Sequence, residues 1–220
     1  MKYGETLFII VYLLIDAYCG TAVLRFARNK AENLMGYAIL ILGIGDAFHL
    51  IPRMIDRFSE TDVSFYLGSG KLITSVTMTI FYVILYIILR ILTKAEKNKK
   101  LDTAVISLCA LRIAVCLFPQ NGWFFNRSDM LWGTLRNIPF ALLGGLVAYL
   151  YFKERKNVRR ASFAWLLIVL SFLFYLPVAV FAGEYPLLGM LMIPKTVCYI
   201  ILVFIFYFKV TKDAPEEKNE

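Results

Sequence analysis

Seven long apolar segments dominate this chain, and their length limits what it can fold into. They are Leu7–Leu24, Leu34–Met54, Lys71–Leu92, Leu101–Phe118, Met130–Phe152, Ala161–Ala182 and Pro186–Phe208. A helix needs roughly 20 residues to cross the hydrocarbon core of a bilayer, and the mean hydropathy of +0.67 fits a chain that is mostly membrane-embedded. The pattern predicts an all-α integral membrane protein, with a seven-helix bundle over residues 1–208 and a short charged cytoplasmic tail over residues 209–220.

The charged residues between these segments predict the orientation of the chain. Cytoplasmic loops carry an excess of lysine and arginine, so the cation-rich side places the N-terminus outside, the C-terminus inside and the protein in the plasma membrane. The cation-rich loops and tail contain Arg25, Arg28, Lys30, Arg90, Lys94, Lys97, Lys99, Lys100, Lys153, Arg155, Lys156, Arg159, Arg160, Lys209, Lys212 and Lys218. The opposite loops contain Lys2, Arg57 and Arg127 beside Glu5, Asp56, Glu60, Asp62, Asp129 and Glu184.

Five cationic residues fall inside the apolar segments or at their edges. A charge near the bilayer centre costs from about 2.5 kcal/mol upward, so such a residue usually faces the bundle interior and has a partner. Cations close to a segment end can instead extend to the interface and act only as anchors, an alternative that stays open for the residues nearest the ends. The five are Arg53, Lys71, Arg112, Arg136 and Lys195.

Acidic residues and prolines point to the same half of the membrane. Asp16 and Asp46 lie near the middle of the first two segments and are the natural partners of Arg112 and Lys195, so a purely structural ion pair stays open. Two aspartates do not neutralise five cations. Prolines inside membrane helices are tolerated where a neighbour or a water-filled cavity satisfies the freed backbone. An outward-facing cavity is predicted from the outer-half prolines Pro52, Pro139, Pro177 and Pro194.

This cavity is predicted to bind an anionic or zwitterionic amphiphile, either a membrane lipid or an anionic small molecule. Guanidinium and ammonium groups bind phosphate and carboxylate, which predicts ligand-binding roles for Arg53, Lys71, Arg112, Arg136, Asn137 and Lys195. The sequence has one histidine and no recognisable metal-ligand spacing or cofactor motif, so no metal and no cofactor are predicted. The net charge of +8 follows from the loops that set orientation, and no nucleic-acid partner is predicted. The oligomeric state is left open.

A faint internal similarity leaves a repeated architecture open. The tetrapeptide His49-Leu50-Ile51-Pro52 resembles Phe174-Tyr175-Leu176-Pro177, and Leu67-Gly68 resembles Leu188-Gly189. The first three and the last three segments also share orientation. Such a pattern is typical of a parallel repeat of three helices on each side of a linker helix.

One motif region resembles a known family of membrane enzymes. The stretch Gly45-Asp46-Ala47-Phe48-His49-Leu50-Ile51-Pro52, followed by Leu67-Gly68 and a helix rich in Thr, Phe and Tyr, resembles the Gly-Asp motif region of the YhhN-type lysoplasmalogenase family. Members of that family are polytopic enzymes of similar size that hydrolyse the vinyl ether of lysoplasmalogens with two membrane aspartates. The resemblance implies a lipid hydrolase in which Asp46 matches the first aspartate.

The sequence departs from that family at the second aspartate. Its expected position in the sixth segment is occupied by Phe172, and the family has eight spans rather than seven. Asp16 or His49 would then have to replace the missing acid or base. The candidate catalytic residues are therefore Asp46, His49 and Asp16.

Two other functions stay open. A small seven-helix transporter for an anionic metabolite would need polar residues in its cytoplasmic half, where Tyr82–Leu89 and Leu166–Leu170 are apolar. A receptor or retinal-type pigment would use Lys195 for a Schiff base. The protonated Schiff base needs a carboxylate counter-ion, a role that Asp46 or Asp16 would have to fill.

Overall fold

Helices account for all regular secondary structure in the described part of the chain. The computed structural model describes residues 2–125, 130–158, 161–181 and 185–211. The α-helices are α1 Lys2–Phe26, α2 Lys30–Phe58, α3 Ser64–Leu92, α4 Lys99–Leu117, α5 Met130–Lys153, α6 Ala164–Phe181 and α7 Met192–Thr211. The predicted loop charges Arg127, Asp129, Arg159, Arg160, Glu184, Lys212 and Lys218 lie outside the described residues, as do Ala182 and residues 212–220 of the predicted tail.

Six helices of the described chain are long and apolar enough to cross a membrane, and a seventh joins them if a bent pair is counted as one span. The bent pair consists of α4 and the segment Pro119–Phe125, which meet at 70°. The predicted class, an all-α multi-pass membrane protein, is confirmed at this level. The fourth span differs from the prediction because α4 ends at Leu117 and the chain turns away at Pro119.

The helices form a ring in chain order. Each helix packs against the next, and α7 closes the ring by packing against α1. Further contacts join α3 to α5 and α2 to α7, helices that are not neighbours along the chain. The tightly packed core occupies the half of the bundle away from the N-terminus, with Tyr82, Leu85, Leu143 and Phe206 at most 1% exposed. The other half is therefore free to hold a cavity.

A glycine lets α2 and α3 approach closely beside that cavity. A Cβ atom at Gly70 would lie 2.2 Å from the carbonyl oxygen of Phe48 and 2.7 Å from the Cα of His49. Pro52 has no N–H to bond the Phe48 carbonyl four residues earlier, so this carbonyl faces α3 instead. Only glycine allows the two backbones to meet at this distance.

The second and third helices extend further than the apolar pattern predicts. α3 begins at Ser64, two turns before Lys71, and α2 continues past Arg53 to Phe58. Asp62 accepts a hydrogen bond of 2.9 Å from the backbone of Ser64 at the start of α3, and this bond holds the pKa of Asp62 below its usual value. Lys71 and Arg53 therefore lie well inside their helices rather than at the ends.

Candidate functional site

A cavity of about 440 Å³ opens at the end of the bundle that carries the N-terminus of α1. We call it the basic cavity because its described lining contains five cationic residues and no carboxylate. The lining residues are His49, Arg53, Lys71, Thr74, Ser75, Met78, Arg112, Trp123, Arg136, Phe140, Tyr175, Val178, Ala179, Gly189, Met192 and Lys195. The structure thus brings together all five cations that the sequence places in or beside the apolar segments.

The five cations differ in burial, which gives the basic cavity a mouth and a floor. Lys71 is exposed, whereas Arg53 and Arg136 are half-buried. Arg112 and Lys195 are 1% and 4% exposed. A ligand entering past Lys71 would therefore meet the two most deeply buried charges last.

Arg112 and Arg136 are fixed by contacts with aromatic rings and carbonyl groups. Nη1 of Arg112 donates a hydrogen bond to the backbone carbonyl of Arg136, and the Arg112 guanidinium carbon lies 5.0 Å from the centroid of the Phe140 ring. Nη1 of Arg136 donates to Oδ1 of Asn121 at 3.0 Å, and its guanidinium carbon lies 4.4 Å from the centroid of Trp123. Among the described residues, Nε of Arg112 has no hydrogen-bond partner.

The segment Pro119–Phe125 positions Asn121 and Trp123 by folding back onto α4. Helix C-termini leave carbonyl groups without intrahelical partners. Nδ2 of Asn121 bonds the carbonyl of Val115 at 2.7 Å, and Nε1 of Trp123 bonds that of Cys116 at 2.7 Å. The backbone of Trp123 packs directly against Gly68 of α3, where a Cβ would lie 1.4 Å from the Trp123 carbonyl oxygen. The 70° bend thereby delivers an aromatic wall to the basic cavity.

Lys195 lies between aromatic rings rather than beside an acid. Its Nζ is 5.4 Å from the centroid of Tyr175 and 5.2 Å from that of Tyr199, and no described residue accepts a hydrogen bond from it. Such cation–π contacts offset part of the cost of burying an ammonium group. The carboxylate counter-ion that a retinal Schiff base needs is not found in the described lining of the basic cavity.

Asn137 is not among the described residues that line the basic cavity, and its ligand-binding role stays a prediction. Its Oδ1 accepts a hydrogen bond of 2.9 Å from the hydroxyl of Tyr175, and its Nδ2 donates to the carbonyl of Gly133 at 2.8 Å. Both polar ends of the side chain are therefore occupied by protein. Asn137 instead holds Tyr175, which forms part of the cavity wall.

His49 and Thr74 join α2 to α3 at the side of the basic cavity. Oγ1 of Thr74 donates a hydrogen bond of 2.7 Å to the carbonyl of Gly45, and Nδ1 of His49 lies 3.0 Å from the same Oγ1. A second ring nitrogen of His49, Nε2, has no hydrogen-bond partner among the described residues. Of the three candidate catalytic residues, His49 alone lines this cavity in the described structure.

Arg53 also borders a second cavity of about 330 Å³ between α1, α2 and the start of α7. Glu5 of α1 forms ion pairs with Arg53 at 3.1 Å and with Arg57 at 2.5 Å. This clamp fixes the position of Arg53 from outside the basic cavity. Exposed ion pairs contribute little to stability, so the clamp matters mainly for geometry.

Asp16 and Asp46 lie together between α1 and α2, beneath the second cavity. The hydroxyl of Tyr12 donates a hydrogen bond of 2.9 Å to Oδ2 of Asp46. Both carboxylate oxygens of Asp16 and Oδ1 of Asp46 are buried without a described partner. In contrast to the expected ion pairs, the described structure shows none between either aspartate and Arg112 or Lys195.

The position expected for the second catalytic aspartate of the resembling family lies in an aromatic cluster. The ring of Phe172 packs against Tyr82, Phe140 and Tyr175, with ring centroids 5.3, 5.0 and 6.4 Å away. Asp46 does not line the basic cavity in the described structure. The catalytic roles of Asp46 and Asp16 stay predictions.

Several lining residues were not predicted from the sequence, although helical spacing indicates them. Thr74, Ser75 and Met78 follow Lys71 at three, four and seven positions, the spacing that places residues on one face of a helix. Once Lys71 is known to face the cavity, the helical spacing therefore predicts that these three residues line it as well. Phe140 and Tyr175 carry no comparable signal, because aromatic residues occur throughout these apolar segments.

No protein-family model, no curated protein and no solved structure matches this chain.

Proposed function

We propose that the basic cavity binds an anionic amphiphile, with the negatively charged headgroup between the five cations. The observation that carries this proposal is the composition of the described lining, which has five cations and no carboxylate. Like charges confined to one cavity repel each other, and the local dielectric is lower than that of water, so a bound anion relieves a real cost. Glu5 compensates Arg53 from the second cavity, and the described lining holds no carboxylate beside the other four cations.

The apolar part of the lining supports an amphiphile rather than an inorganic ion. Met78, Phe140, Val178 and Met192 stand between the cations, and ligand pockets typically combine such a surface with a few polar groups that fix orientation. A headgroup with an attached hydrocarbon chain therefore matches both parts of the surface.

Hydrolysis of such a ligand is a second candidate function, favoured by the position of His49. His49 is among the residues that line the basic cavity, and the contact between its Nδ1 and Thr74 fixes the ring, as expected of a general base. The aspartate that the family resemblance implies, Asp46, is bonded to Tyr12 instead. Binding without chemistry is thus the function that the geometry supports better, and release of a cleaved product from a bound ligand would favour the second candidate.

The proposed ligand side also fits the predicted orientation, with the N-terminus outside the cell and the protein in the plasma membrane. The basic cavity then takes its ligand from the outer leaflet. A cysteine placed at Lys100, which is exposed at the start of α4, should react with an impermeant thiol reagent in inside-out vesicles and not in right-side-out vesicles. The parallel repeat of helices one to three and five to seven stays a proposal on its sequence similarity alone.

Binding can be tested with octyl phosphate and the neutral analogue octyl glucoside, titrated into protein in a non-ionic detergent. The native protein should bind octyl phosphate and not octyl glucoside. A Lys71→Met, Lys195→Met double variant should lose at least tenfold in affinity, since each ammonium offers a charge-assisted hydrogen bond. The control Lys100→Met removes an exposed charge outside the cavity and should leave affinity unchanged. Equal affinity in the native and double variant proteins would refute the proposal.

A further inference from the structure

Resting on the proposed function, we infer that the anionic headgroup carries its own hydrogen-bond donor, as a phosphate monoester monoanion does, and that His49 selects for it. A sulfate ester or a phosphodiester has the same single negative charge but only acceptor oxygens. The uncharged polar groups that line the basic cavity use their own protons in hydrogen bonds within the protein and offer a ligand only lone pairs.

The hydroxyl of Thr74 has a single hydrogen and can donate only one hydrogen bond. The carbonyl of Gly45 can only accept a hydrogen bond. In the 2.7 Å bond between Thr74 Oγ1 and this carbonyl, the Thr74 hydroxyl is therefore the donor, and its only hydrogen is used there. Oγ1 of Thr74 can then only accept at the 3.0 Å contact with the ring of His49. Nδ1 of His49 is therefore the protonated nitrogen, and in the neutral ring Nε2 is the acceptor.

The neutral form of the ring follows from its surroundings. Asp46, three residues earlier on α2, favours a proton on the ring. Five cations line the same cavity, and their positive charge disfavours the addition of another proton to an imidazole and outweighs the single carboxylate. Nε2 of His49 can thus accept a hydrogen bond from a ligand, whereas the cationic side chains of the lining can only donate one. A ligand that satisfies both must present acceptors to the cations and one donor to His49.

The remaining hydroxyl groups of the lining lead to the same requirement. Oγ of Ser75 donates to the carbonyl of Lys71 at 2.8 Å, and the hydroxyl of Tyr175 donates to Asn137 at 2.9 Å. Their protons are committed to the protein, so these oxygens also offer only lone pairs to a ligand. An anion without a hydrogen of its own would bring acceptor oxygens against these acceptors.

The test compares octyl phosphate with octyl sulfate at about pH 5. The second phosphate pKa is about 6, so both ligands then carry mainly one negative charge and differ in one O–H group. Sites that hydrogen-bond a ligand hydroxyl discriminate strongly against analogues that lack it. By calorimetric titration the native protein should bind octyl phosphate at least about tenfold more tightly. His49→Ala should reduce this preference to less than about threefold by weakening phosphate binding alone.

Each outcome separates this inference from the proposed function. Equal binding of both ligands by the native protein, or tighter binding of octyl sulfate, would overturn the inference and leave anion binding intact. Binding of neither ligand would overturn the proposed function and the inference with it. An undiminished phosphate preference in His49→Ala would overturn the role of His49.

A second pair of variants tests whether Thr74 fixes the tautomer of His49, and both variants retain the imidazole ring. Thr74→Val takes away the acceptor for Nδ1–H, so the ring loses the contact that fixes its tautomer, and the phosphate preference should fall. Thr74→Ser retains the hydroxyl and should retain the preference. Thermal unfolding would first confirm that both variants are folded. An equal preference for octyl phosphate over octyl sulfate in the two variants would then overturn the role of Thr74.

Discussion

Replacing Lys195 by methionine should raise the stability of the ligand-free protein while lowering its affinity for an anionic amphiphile. Methionine keeps an unbranched side chain of similar length and removes the charge. Lys195 is 4% exposed, and among the described residues its ammonium group lies beside two aromatic rings and pairs with no carboxylate. A buried charge without an acidic partner is costly in the free protein and useful only when an anion arrives.

The size of the stability change follows from two opposing contributions. A lysine at the centre of a membrane helix costs about 2.5–3.5 kcal/mol on insertion scales. This cost is an upper bound for Lys195, which is the fourth residue of α7. Two cation–π contacts return about 0.5–1 kcal/mol each. The difference is at most about 0.5–2.5 kcal/mol in favour of the variant, which corresponds to a rise in Tm of about 1–10 °C for a chain of this length.

The affinity should change in the opposite direction. A hydrogen bond to a charged group contributes about 1.5–3 kcal/mol, so loss of the ammonium should weaken octyl phosphate binding by about 10- to 100-fold. Thermal unfolding followed by tryptophan fluorescence measures the first effect, and calorimetric titration measures the second. Lys100→Met serves as the control for both measurements, because Lys100 is exposed and lies outside the cavity lining.

A particular combination of results would refute this reasoning. If Lys195→Met lowered Tm and left the affinity unchanged, the ammonium group would be stabilising the fold rather than waiting for a ligand. The ligand-free cavity would then have to contain a group that compensates the charge of the Lys195 ammonium.

Two further pairs of variants test the packing around the site. Gly70→Ala should lower the free energy of unfolding by about 1–3 kcal/mol in urea titrations, because its Cβ would lie 2.2 Å from a backbone carbonyl oxygen of α2. Gly145 has open space around it, so Gly145→Ala should raise the free energy of unfolding by about 0.5–1 kcal/mol. Asp16→Asn should leave stability unchanged or raised, since its buried carboxylate oxygens have no described partner. Asp46→Leu should cost about 1–3 kcal/mol, because the Tyr12 hydroxyl loses its acceptor. Unchanged stability in Gly70→Ala, or a marked loss in Asp16→Asn, would contradict these expectations.

The arrangement of the cations was predictable because depth in a membrane can be counted along a helix. Each of the five lies in an apolar segment at a position whose distance from the segment end is readable from the sequence, and all five line one cavity. What depth does not give is the identity of the neighbouring helix. Asp46 lies two turns deeper than Arg53 on α2, and Tyr12 of α1 packs over it there. Nothing in a single sequence indicates that Tyr12 would occupy this place.

The ends of the helices were predicted less well than their centres. Hydropathy locates the apolar part of a helix, but α2 continues past the charged residues Asp56 and Arg57 to Phe58, and α3 already begins at Ser64. Local hydrogen bonds, such as that between Asp62 and Ser64, determine those ends. The turn after α4 depends on Asn121 and Trp123 bonding carbonyl groups of the preceding helix, and the same residues in another context would form an ordinary loop.

The bend after α4 has a consequence for the biogenesis of the protein. Alone, α4 is not apolar enough to count among the candidate membrane spans, and it carries Arg112, whose Nη1 bonds the carbonyl of Arg136 on α5. Since α5 follows α4 during synthesis, the translocon would receive α4 before that carbonyl exists. Stable lateral release of α4 into the lipid must therefore wait until α5 has emerged, so that the two helices enter the bilayer as a pair.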